Sequence, residues 1–340
     1  KKSYNVGIDL ALFNNRLEFT AEWYKNTSED LLYAVPVPEQ AGVSNTTVTM
    51  NAASMNNSGF EFSATYRNRD RDFKYELSAN LSTLRNRVTS LGFGTDSYIS
   101  GAYITNVGQE IGQFYGWAYE GIARTQEDLD NHATQEGAQI GDCLYKDISG
   151  PDGKPDGKVD ANDQVVLGSG MPKIHFGLNA RFEYKRFDLS IATFGALNYH
   201  VSDDIYNSLN SCYGWGNKEV GMLDANRFSE DGSTYLSNVP RTYVTNSASL
   251  GWNDLFSSRK IQNAAYWKIA NVELGYNFPN EWFGKYVSDV RFYVSAQNLH
   301  TFTGYHGYNV DYAGGTFTPG YNFCSYPTAR TFMCGVHFTF

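Results

Sequence analysis

The sequence predicts an all-β protein, a transmembrane antiparallel β-barrel segment with long loops, from three observations. The final stretch alternates strictly, with Phe332, Cys334, Val336, Phe338 and Phe340 on one face and polar or small residues between them. No apolar run reaches the roughly 18 residues that a transmembrane helix needs. The chain of 340 residues holds 25 Tyr and 22 Phe, yet its mean hydropathy is −0.44. Abundant aromatics with a polar average are typical of a barrel with a wet interior and aromatic membrane rims.

The same alternation recurs along the chain, and short polar turns such as Asn14–Asn15 and Lys185–Arg186 join the segments in pairs. The nine apolar faces begin, in order, at Val6, Leu17, Phe60, Phe73, Ile174, Phe187, Val272, Val290 and Phe332. Charged residues lie on the opposite face of each segment. A Lys or Arg directed at lipid would cost about 2–4 kcal/mol at the bilayer midplane, so the charged face should line the lumen.

This rule assigns individual side chains in three of the strands. We expect Leu77, Leu189 and Val294 to face lipid, and their neighbours to face the lumen. Those lumenal neighbours are Glu76, Asp188 and Arg291.

Four long connections separate the pairs, at residues 25–57, 85–172, 199–264 and 301–329. Short turns on one side and long loops on the other are the layout of outer-membrane barrels, so the long connections should be extracellular. Residues 25–57 are Asn/Thr-rich and are expected to be irregular. The strand-like stretch Ile111–Ala123 would break the parity of the barrel, and we assign it to a loop.

Nine strands cannot close a barrel by themselves. An open edge in lipid would leave backbone groups unsatisfied, at several kcal/mol each. Residues 1–340 are therefore expected to be the C-terminal portion of a larger barrel, whose other strands lie elsewhere.

Several blocks resemble SusC/RagA-like TonB-dependent outer-membrane transporters. They are Tyr266–Pro279, Val294–Tyr305, Tyr326–Phe332 with the terminal Phe340, and upstream Phe114–Trp117 and Asp156–Asp160. Two positions depart from the family pattern. Lys268 stands where Arg is usual, and Asn309-Val310-Asp311 stands where Asp-Pro-Glu is common.

The resemblance implies a 22-stranded barrel with a plugged lumen, of which this chain would supply strands fourteen to twenty-two. It implies multi-pass insertion in the outer membrane of a Gram-negative cell. It also implies import of oligosaccharides or peptides, driven by TonB, beneath a SusD-like surface lipoprotein. The plug domain and the TonB box are expected to be absent from residues 1–340.

Other classes of function are less favoured. Six His are scattered without a catalytic pattern, so we expect no enzyme, and a net charge of −9 argues against a nucleic-acid partner. A soluble carbohydrate-binding β-protein is the main alternative, and an outer-membrane enzyme or adhesin barrel is the third.

Aromatic residues in the long loops are candidates for ligand contact, because their rings stack on sugar faces or peptide planes and their polar groups form hydrogen bonds. The candidate ligand-binding residues are Tyr213, Trp215, Tyr305 and Tyr308. The competing interpretation is that such residues pack the loops or meet the lipoprotein.

Residues 152–163 resemble an EF-hand calcium loop. The candidate ligands are Asp152, Asp156, Asp160, Asp163 and the backbone carbonyl of Lys158. Lys154 at the third position argues against a cation, and an acidic Gly/Pro-rich turn without an ion is the alternative. Four neighbouring carboxylates would repel one another without a cation, which favours calcium.

Four cysteines occur without metal-binding spacing. Cys334 is predicted to be a free thiol on the lipid-facing side. The disulfide state of Cys143, Cys212 and Cys324 stays open, with Cys212 and Cys324 as a possible pair.

Overall fold

The structure is a computed structural model that describes residues 1–36, 47–92, 94–212, 216–242, 251–283, 287–311 and 314–340. The strands are β1 (Lys2–Leu12), β2 (Leu17–Pro36), β3 (Thr47–Asn68), β4 (Phe73–Thr83), β5 (Arg85–Ser90), β6 (Ser97–Ser100), β7 (Tyr103–Asn106), β8 (Gln113–Trp117), β9 (Tyr119–Ile122), β10 (Cys143–Tyr145), β11 (Gln164–Ser169), β12 (Ile174–Tyr184), β13 (Phe187–Leu197), β14 (His200–Asp203), β15 (Gln262–Asn263), β16 (Tyr266–Asn277), β17 (Asp289–Thr303), β18 (Tyr321–Asn322) and β19 (Thr331–Thr339). The helices are α1 (Gln126–Asn131) and α2 (Asp204–Leu209), with 3-10 turns at Ala161–Asp163, Val220–Asp224, Trp252–Asp254, Ser258–Lys260 and Asn280–Trp282.

One antiparallel sheet dominates the described residues. Its strand order is β1-β2-β3-β4-β12-β13-β16-β17-β19, and β5 pairs with the upper part of β3. Each segment that the alternation singled out lies in one strand of this sheet, and the all-β fold class is confirmed. The total of 22 strands for the whole barrel stays a prediction. Among the described residues, no helix is long and apolar enough to cross a membrane.

The prediction that residues 25–57 are irregular is wrong for the described part. β2 has 20 residues and β3 has 22, and their pairing continues from Lys25 opposite Ser58 to Pro36 opposite Thr47, with irregularities between Ser28 and Leu32. At about 3.3 Å per residue, such a hairpin is more than twice as long as the roughly 25 Å apolar band of a barrel. Beyond that band both faces meet water, so the strands lose the alternation that identifies them.

The outward face of the sheet is apolar along its whole width. Leu77 is 43% exposed and Val294 is 42% exposed, although both are large hydrophobic residues, and Leu189 is half-buried. Aromatic rings gather near the short turns, where Phe73 lies 6.0 Å from Phe182 between ring centroids. This is the pattern of a lipid-facing surface with an aromatic girdle, and it agrees with the orientation assigned from the sequence.

The long connections form small sheets of their own at the other end of the main sheet. β6, β7, β8 and β11 form one sheet, β9 and β10 a second, and β14 with β15 and β18 a third. Since β8 and β9 both lie outside the main sheet, the assignment of Ile111–Ala123 to a loop agrees with the structure. We call these connections together the loop layer. Most of the fully buried large side chains belong to it, among them Phe114, Tyr145, Val201 and Tyr235.

Candidate functional site

The inward face of the main sheet carries ion pairs near the short turns. Arg291 contacts Asp188 at 2.5 Å and Glu273 at 2.7 Å, joining β17 to β13 and β16. On the other half of the sheet, Arg67 contacts Glu18 at 2.6 Å and Glu76 at 2.9 Å. These side chains are partly exposed, so each pair contributes at most about 1 kcal/mol. Their main consequence is that the inward face of the main sheet is hydrophilic. We call the main sheet the wall.

A cavity of about 800 Å³ lies between this wall and the loop layer, beside β1. Its wall side includes Glu22, Tyr24, Asn57 and Glu61, and its lining contains no Lys, Arg or His among the described residues. The remaining lining residues from the wall and the loops are Ser3, Tyr4, Asn5, Asn26, Met55, Leu84, Asn86, Ile111, Met171, Gly314, Gly315, Thr316 and Pro319. Hydroxyl, amide and carboxylate groups of this kind suit a polar, uncharged or cationic ligand.

Buried hydrogen bonds hold the loop layer above this cavity. Asn86, which is 3% exposed, donates to Asn57 Oδ1 at 2.7 Å and accepts from the backbone N–H of Ile111 at 2.9 Å. The neighbouring Gly112 has φ +62°, and a Cβ there would lie 2.6 Å from the carbonyl oxygen of Phe317. A side chain at this position would therefore separate two loops that meet over the lumen.

Tyr305, a predicted ligand contact, lies in a buried cluster and is 5% exposed. Its phenol donates to the Asp203 carboxylate, and Asn322 Nδ2 donates to the Tyr305 oxygen at 2.7 Å. Burial and the Asp203 carboxylate raise the pKa of the Tyr305 phenol. In this structure Tyr305 joins the β14 and β18 segments to the end of β17.

The other predicted aromatic contacts differ in their positions. Tyr308 is 62% exposed on the loop after β17 and is open to a ligand or a partner. Tyr213 and Trp215 lie outside the described residues. Of the two candidates that the structure describes, Tyr305 is therefore a buried residue and Tyr308 an exposed one.

The predicted calcium loop is built on side-chain to backbone hydrogen bonds. Asp163 is fully buried, and its oxygens accept from the backbone N–H groups of Ile148 at 2.7 Å, Ser149 at 2.9 Å and Asp160 at 2.8 Å. Such a carboxylate fits the role of a loop anchor better than that of a metal ligand.

The other candidate ligands of this loop are exposed. Asp160 caps the following 3-10 turn, Asp156 accepts from Lys158 N at 3.0 Å, and Asp152 is exposed. Across the described residues, no three His, Cys, Asp or Glu side chains converge as a metal site requires. Calcium binding would therefore require the exposed carboxylates to move together.

All four cysteines are free thiols, so Cys212 and Cys324 are not paired in this structure. Cys334 is exposed on the outward face, as predicted for a free thiol. Cys143 and Cys212 are buried in the loop layer, and burial raises the pKa of their thiols to about 12 and about 11.

The two departures from the family pattern contact each other. Lys268 Nζ lies 2.5 Å from the Asp311 carboxylate, and Lys268 is 3% exposed. The pair joins β16 to the loop that follows β17. Both positions are visible in the sequence as departures from the family pattern, but no local signal connects them, because they are 43 residues apart.

A buried hydrogen-bond network lies elsewhere in the loop layer. Asp142 accepts from Arg241 at 2.5 Å and 3.0 Å and from Asn253 Nδ2 at 2.7 Å. Asn253 also accepts from the backbone N–H of Cys143 at 2.6 Å. This network joins two of the long connections, and nothing in the local sequence patterns identifies it.

Comparison with known proteins gives relatives along the whole chain. No family model matches the chain. It is 31% identical over 358 residues to TonB-dependent receptor P3 of Formosa agariphila, which covers 100% of this chain and 34% of the relative. It is 25% identical to TonB-dependent receptor SusC of Bacteroides thetaiotaomicron, which covers 99% of this chain and 32% of that relative. The chain thus spans about a third of the length of the curated relatives it matches.

Solved structures share the fold. The chain matches a RagAB peptide transporter structure with a TM-score of 0.77 at 23% identity, over 98% of this chain and 34% of the other. A structure of the RagAB peptide importer in its open-open state matches with a TM-score of 0.75 at 24% identity, over 99% of this chain and 34% of the other. These matches show that the main sheet is a stretch of an outer-membrane barrel.

The comparisons also decide between the classes of function weighed from the sequence. The relatives are receptors and transporters, which confirms the expectation that the chain is not an enzyme. They are proteins of the outer membrane, which confirms that location and sets aside the soluble alternative. Over its whole length, this chain is homologous to about a third of TonB-dependent receptor P3 and of SusC, and its main sheet matches part of the barrel in the RagAB structures.

Proposed function

We propose that this chain forms part of the wall and the extracellular loops of an importer that carries oligosaccharides or peptides across the outer membrane, driven by TonB. The observation that carries the proposal is the two-sided sheet. Its outward face is apolar, while its inward face carries the Arg291–Asp188 and Arg67–Glu76 ion pairs and borders an 800 Å³ cavity. A wall of this kind separates lipid from an aqueous path.

Adjacent positions of β3 offer a direct test. Phe60 is 50% exposed on the outward face, and Glu61 lines the cavity. In the full-length transporter with exposed Cys324 and Cys334 changed to Ser, Glu61→Cys modified by a bulky hydrophilic thiol reagent should lose uptake. Phe60→Cys should keep it. Equal uptake by the two modified variants would contradict a path along this wall.

The chemical class of the substrate can be tested with the same transporter. Uptake of labelled neutral oligosaccharides and of labelled peptides should be measured side by side, in cells that carry the intact protein or Glu61→Gln. The described lining residues of the cavity include no basic side chain, which favours neutral or basic substrates over acidic ones. Faster uptake of an acidic peptide than of its neutral counterpart would contradict this part of the proposal.

A SusD-like surface lipoprotein is the proposed partner of the loop layer. Large apolar side chains are exposed there, with Val220 at 79%, Leu223 at 85% and Tyr326 at 86%. Exposed apolar residues of this size mark contact surfaces when they occur together. Affinity purification in mild detergent should recover the lipoprotein with the intact transporter and recover less of it with Leu223→Asp. Exposed Lys154→Ala is the matched control, and equal recovery from both variants would contradict the assignment of Leu223.

Calcium binding by residues 152–163 is retained as a separate proposal, as an extracellular site of low affinity. Its support is the sequence spacing of the carboxylates. Asp163 would keep its place as a buried anchor, so the ion would depend on exposed Asp152, Asp156 and Asp160.

A further inference from the structure

Two short turns at the end of the main sheet away from the loop layer lie side by side. Because β4 pairs with β12 as far as Phe73 opposite Tyr184, the turn before Phe73 is next to the turn after Tyr184. These turns carry Arg71, Lys185 and Arg186, all exposed. We call these three residues the basic rim.

The basic rim has a net positive charge. Two other cations nearby are paired, since Arg16 contacts Asp70 and Arg69 contacts Glu76 at 3.0 Å. In the described part of the chain, no ion pair involves a residue of the basic rim. Asp72 is an exposed acid in the same turn, so three cations against one anion leave two uncompensated positive charges.

The basic rim adjoins the aromatic girdle of the outward face. Lys185 Nζ lies 5.3 Å from the ring centroid of Tyr184, whose ring is 6.4 Å from that of Phe73. Across the hairpin, Phe187 lies 4.8 Å from Tyr276 between ring centroids. Aromatic girdles mark the level of the lipid headgroups, and a Lys stem beside an aromatic ring holds its ammonium at that level.

Lys185 occupies a backbone conformation that disfavours it. It has φ 56° in a two-residue hairpin loop, where Gly or Asn is usual. A Lys in this left-handed region is strained, because its Cβ crowds the following carbonyl oxygen. The strained backbone at Lys185 points to a role for its side chain.

We propose that the basic rim binds the phosphate-bearing headgroup of an anionic glycerophospholipid in the leaflet that faces the short turns. A guanidinium binds phosphate oxygens in a bidentate manner, and an ammonium adds a point charge. The acyl chains of the same lipid would lie along the apolar face below Tyr184. The inference goes beyond import and rests only on the membrane placement of the sheet.

The test uses the full-length transporter in lipid nanodiscs that contain phosphatidylglycerol and phosphatidylcholine. The rim variant is Lys185→Asn with Arg186→Gln, since Asn tolerates a positive φ. The control variant, Lys154→Asn with Lys158→Gln, removes the same charge from an exposed loop. Native mass spectrometry counts the phosphatidylglycerol retained. We expect retention to fall about fivefold for each charge removed from the rim, which corresponds to about 1 kcal/mol per basic residue near an anionic membrane.

Three outcomes would overturn the proposal. The first is equal retention of phosphatidylglycerol by the rim and control variants. The second is loss of retention in Lys185→Arg, because that variant keeps the charge and a loss would assign the effect to turn conformation. The third is displacement of the lipid by millimolar inorganic phosphate, which would indicate a site for free anions. Heat-modifiable migration of each variant in gels verifies that the barrel is folded.

Discussion

The wall and the loop layer are stabilised in opposite ways. In the wall, apolar side chains such as Val6 and Phe332 are each 69% exposed, and order comes from the backbone ladder between neighbouring strands. In the loop layer, large side chains such as Phe114 at 0% and Tyr145 at 1% are buried, and polar groups such as Asn253 at 2% are buried with them.

The difference decides what each region tolerates. The outward face of the wall contacts lipid, so a charged substitution there should destabilise the sheet. Many substitutions on the inward face should leave its stability unchanged. The loop layer resembles the interior of a soluble protein. Loss of one buried polar partner there leaves another group unsatisfied, which costs more than the bond itself contributes.

The largest expected effect is from Asp142→Ala in the loop layer. The change removes a buried carboxylate and leaves partly exposed Arg241 and buried Asn253 without their shared acceptor. Breaking a fully buried ion pair costs about 3–5 kcal/mol, and because Arg241 keeps some contact with solvent we expect a loss at the lower end of that range. Limited proteolysis of the intact transporter should show rapid cleavage near 126–145 and 223–242, while the barrel stays heat-modifiable. Asp96→Ala, at an exposed position outside the 152–163 loop, is the control and should remain resistant. Loss of the barrel together with the loops would refute the independence of the two regions.

Next in size is the replacement of Leu178 by Arg in the wall. Leu178 is 47% exposed on the outward face near the middle of β12, so we expect a loss of about 2–4 kcal/mol in folding into lipid vesicles. The adjacent Asn179→Arg places the same charge on the inward face and should cost far less. Equal losses at the two positions would show that the faces are wrongly assigned.

A smaller effect is expected for Tyr305→Phe, which removes one hydroxyl from the loop layer. Asp203 loses one donor but keeps Tyr206 N at 2.9 Å and Asn322 Nδ2 at 3.1 Å. A hydrogen bond to a charged group contributes about 1.5–3 kcal/mol. Hydrogen exchange should accelerate in β14 and β18, and Tyr308→Phe, at an exposed position, should leave it unchanged. Unchanged exchange in both variants would remove Tyr305 from the set of loop anchors.

Calcium should have the smallest effect. With a dissociation constant of about 1 mM, which is typical of extracellular modules, 5 mM calcium would stabilise the 152–163 loop by about 1 kcal/mol. Calcium, but not magnesium, should slow proteolysis of this loop, and Asp156→Asn should abolish the difference. Glu127→Gln, at an exposed position in α1, should leave it unchanged. Identical cleavage with calcium and with chelator would show that backbone hydrogen bonds alone order the loop.

The wall can be predicted from the sequence more completely than the loop layer, and the reason is physical. Bilayer and lumen impose opposite chemistry on successive residues, so a face such as Phe73, Tyr75 and Leu77 is visible in the local sequence. Outside the bilayer that constraint disappears, and the paired strands through Lys25–Pro36 look irregular. The loop layer depends on contacts such as Arg241 with Asp142, 99 residues apart, which no local pattern encodes.

The candidate site shows the same division. The hydrophilic wall around Arg291 follows from alternation, because its charged face had to be lumenal. The burial of Tyr305 does not follow from alternation. An aromatic residue in a loop has the same local sequence whether it is exposed to a ligand or buried against Asp203. The Lys268–Asp311 contact required the fold, although both positions departed from the family pattern.

The length of the β2–β3 hairpin has a mechanical consequence. Its ladder runs without interruption from the short turn to Ser28, and its register first shifts between Ser28 and Leu31. Between the turn and Ser28 the two strands are joined by an unbroken series of hydrogen bonds, so this part of the hairpin resists bending. Bending therefore concentrates at the irregularity, where the strand twist is greatest. A force on the described part of the hairpin above Leu31 would therefore turn that part about the irregularity, while the paired strands below it kept their shape.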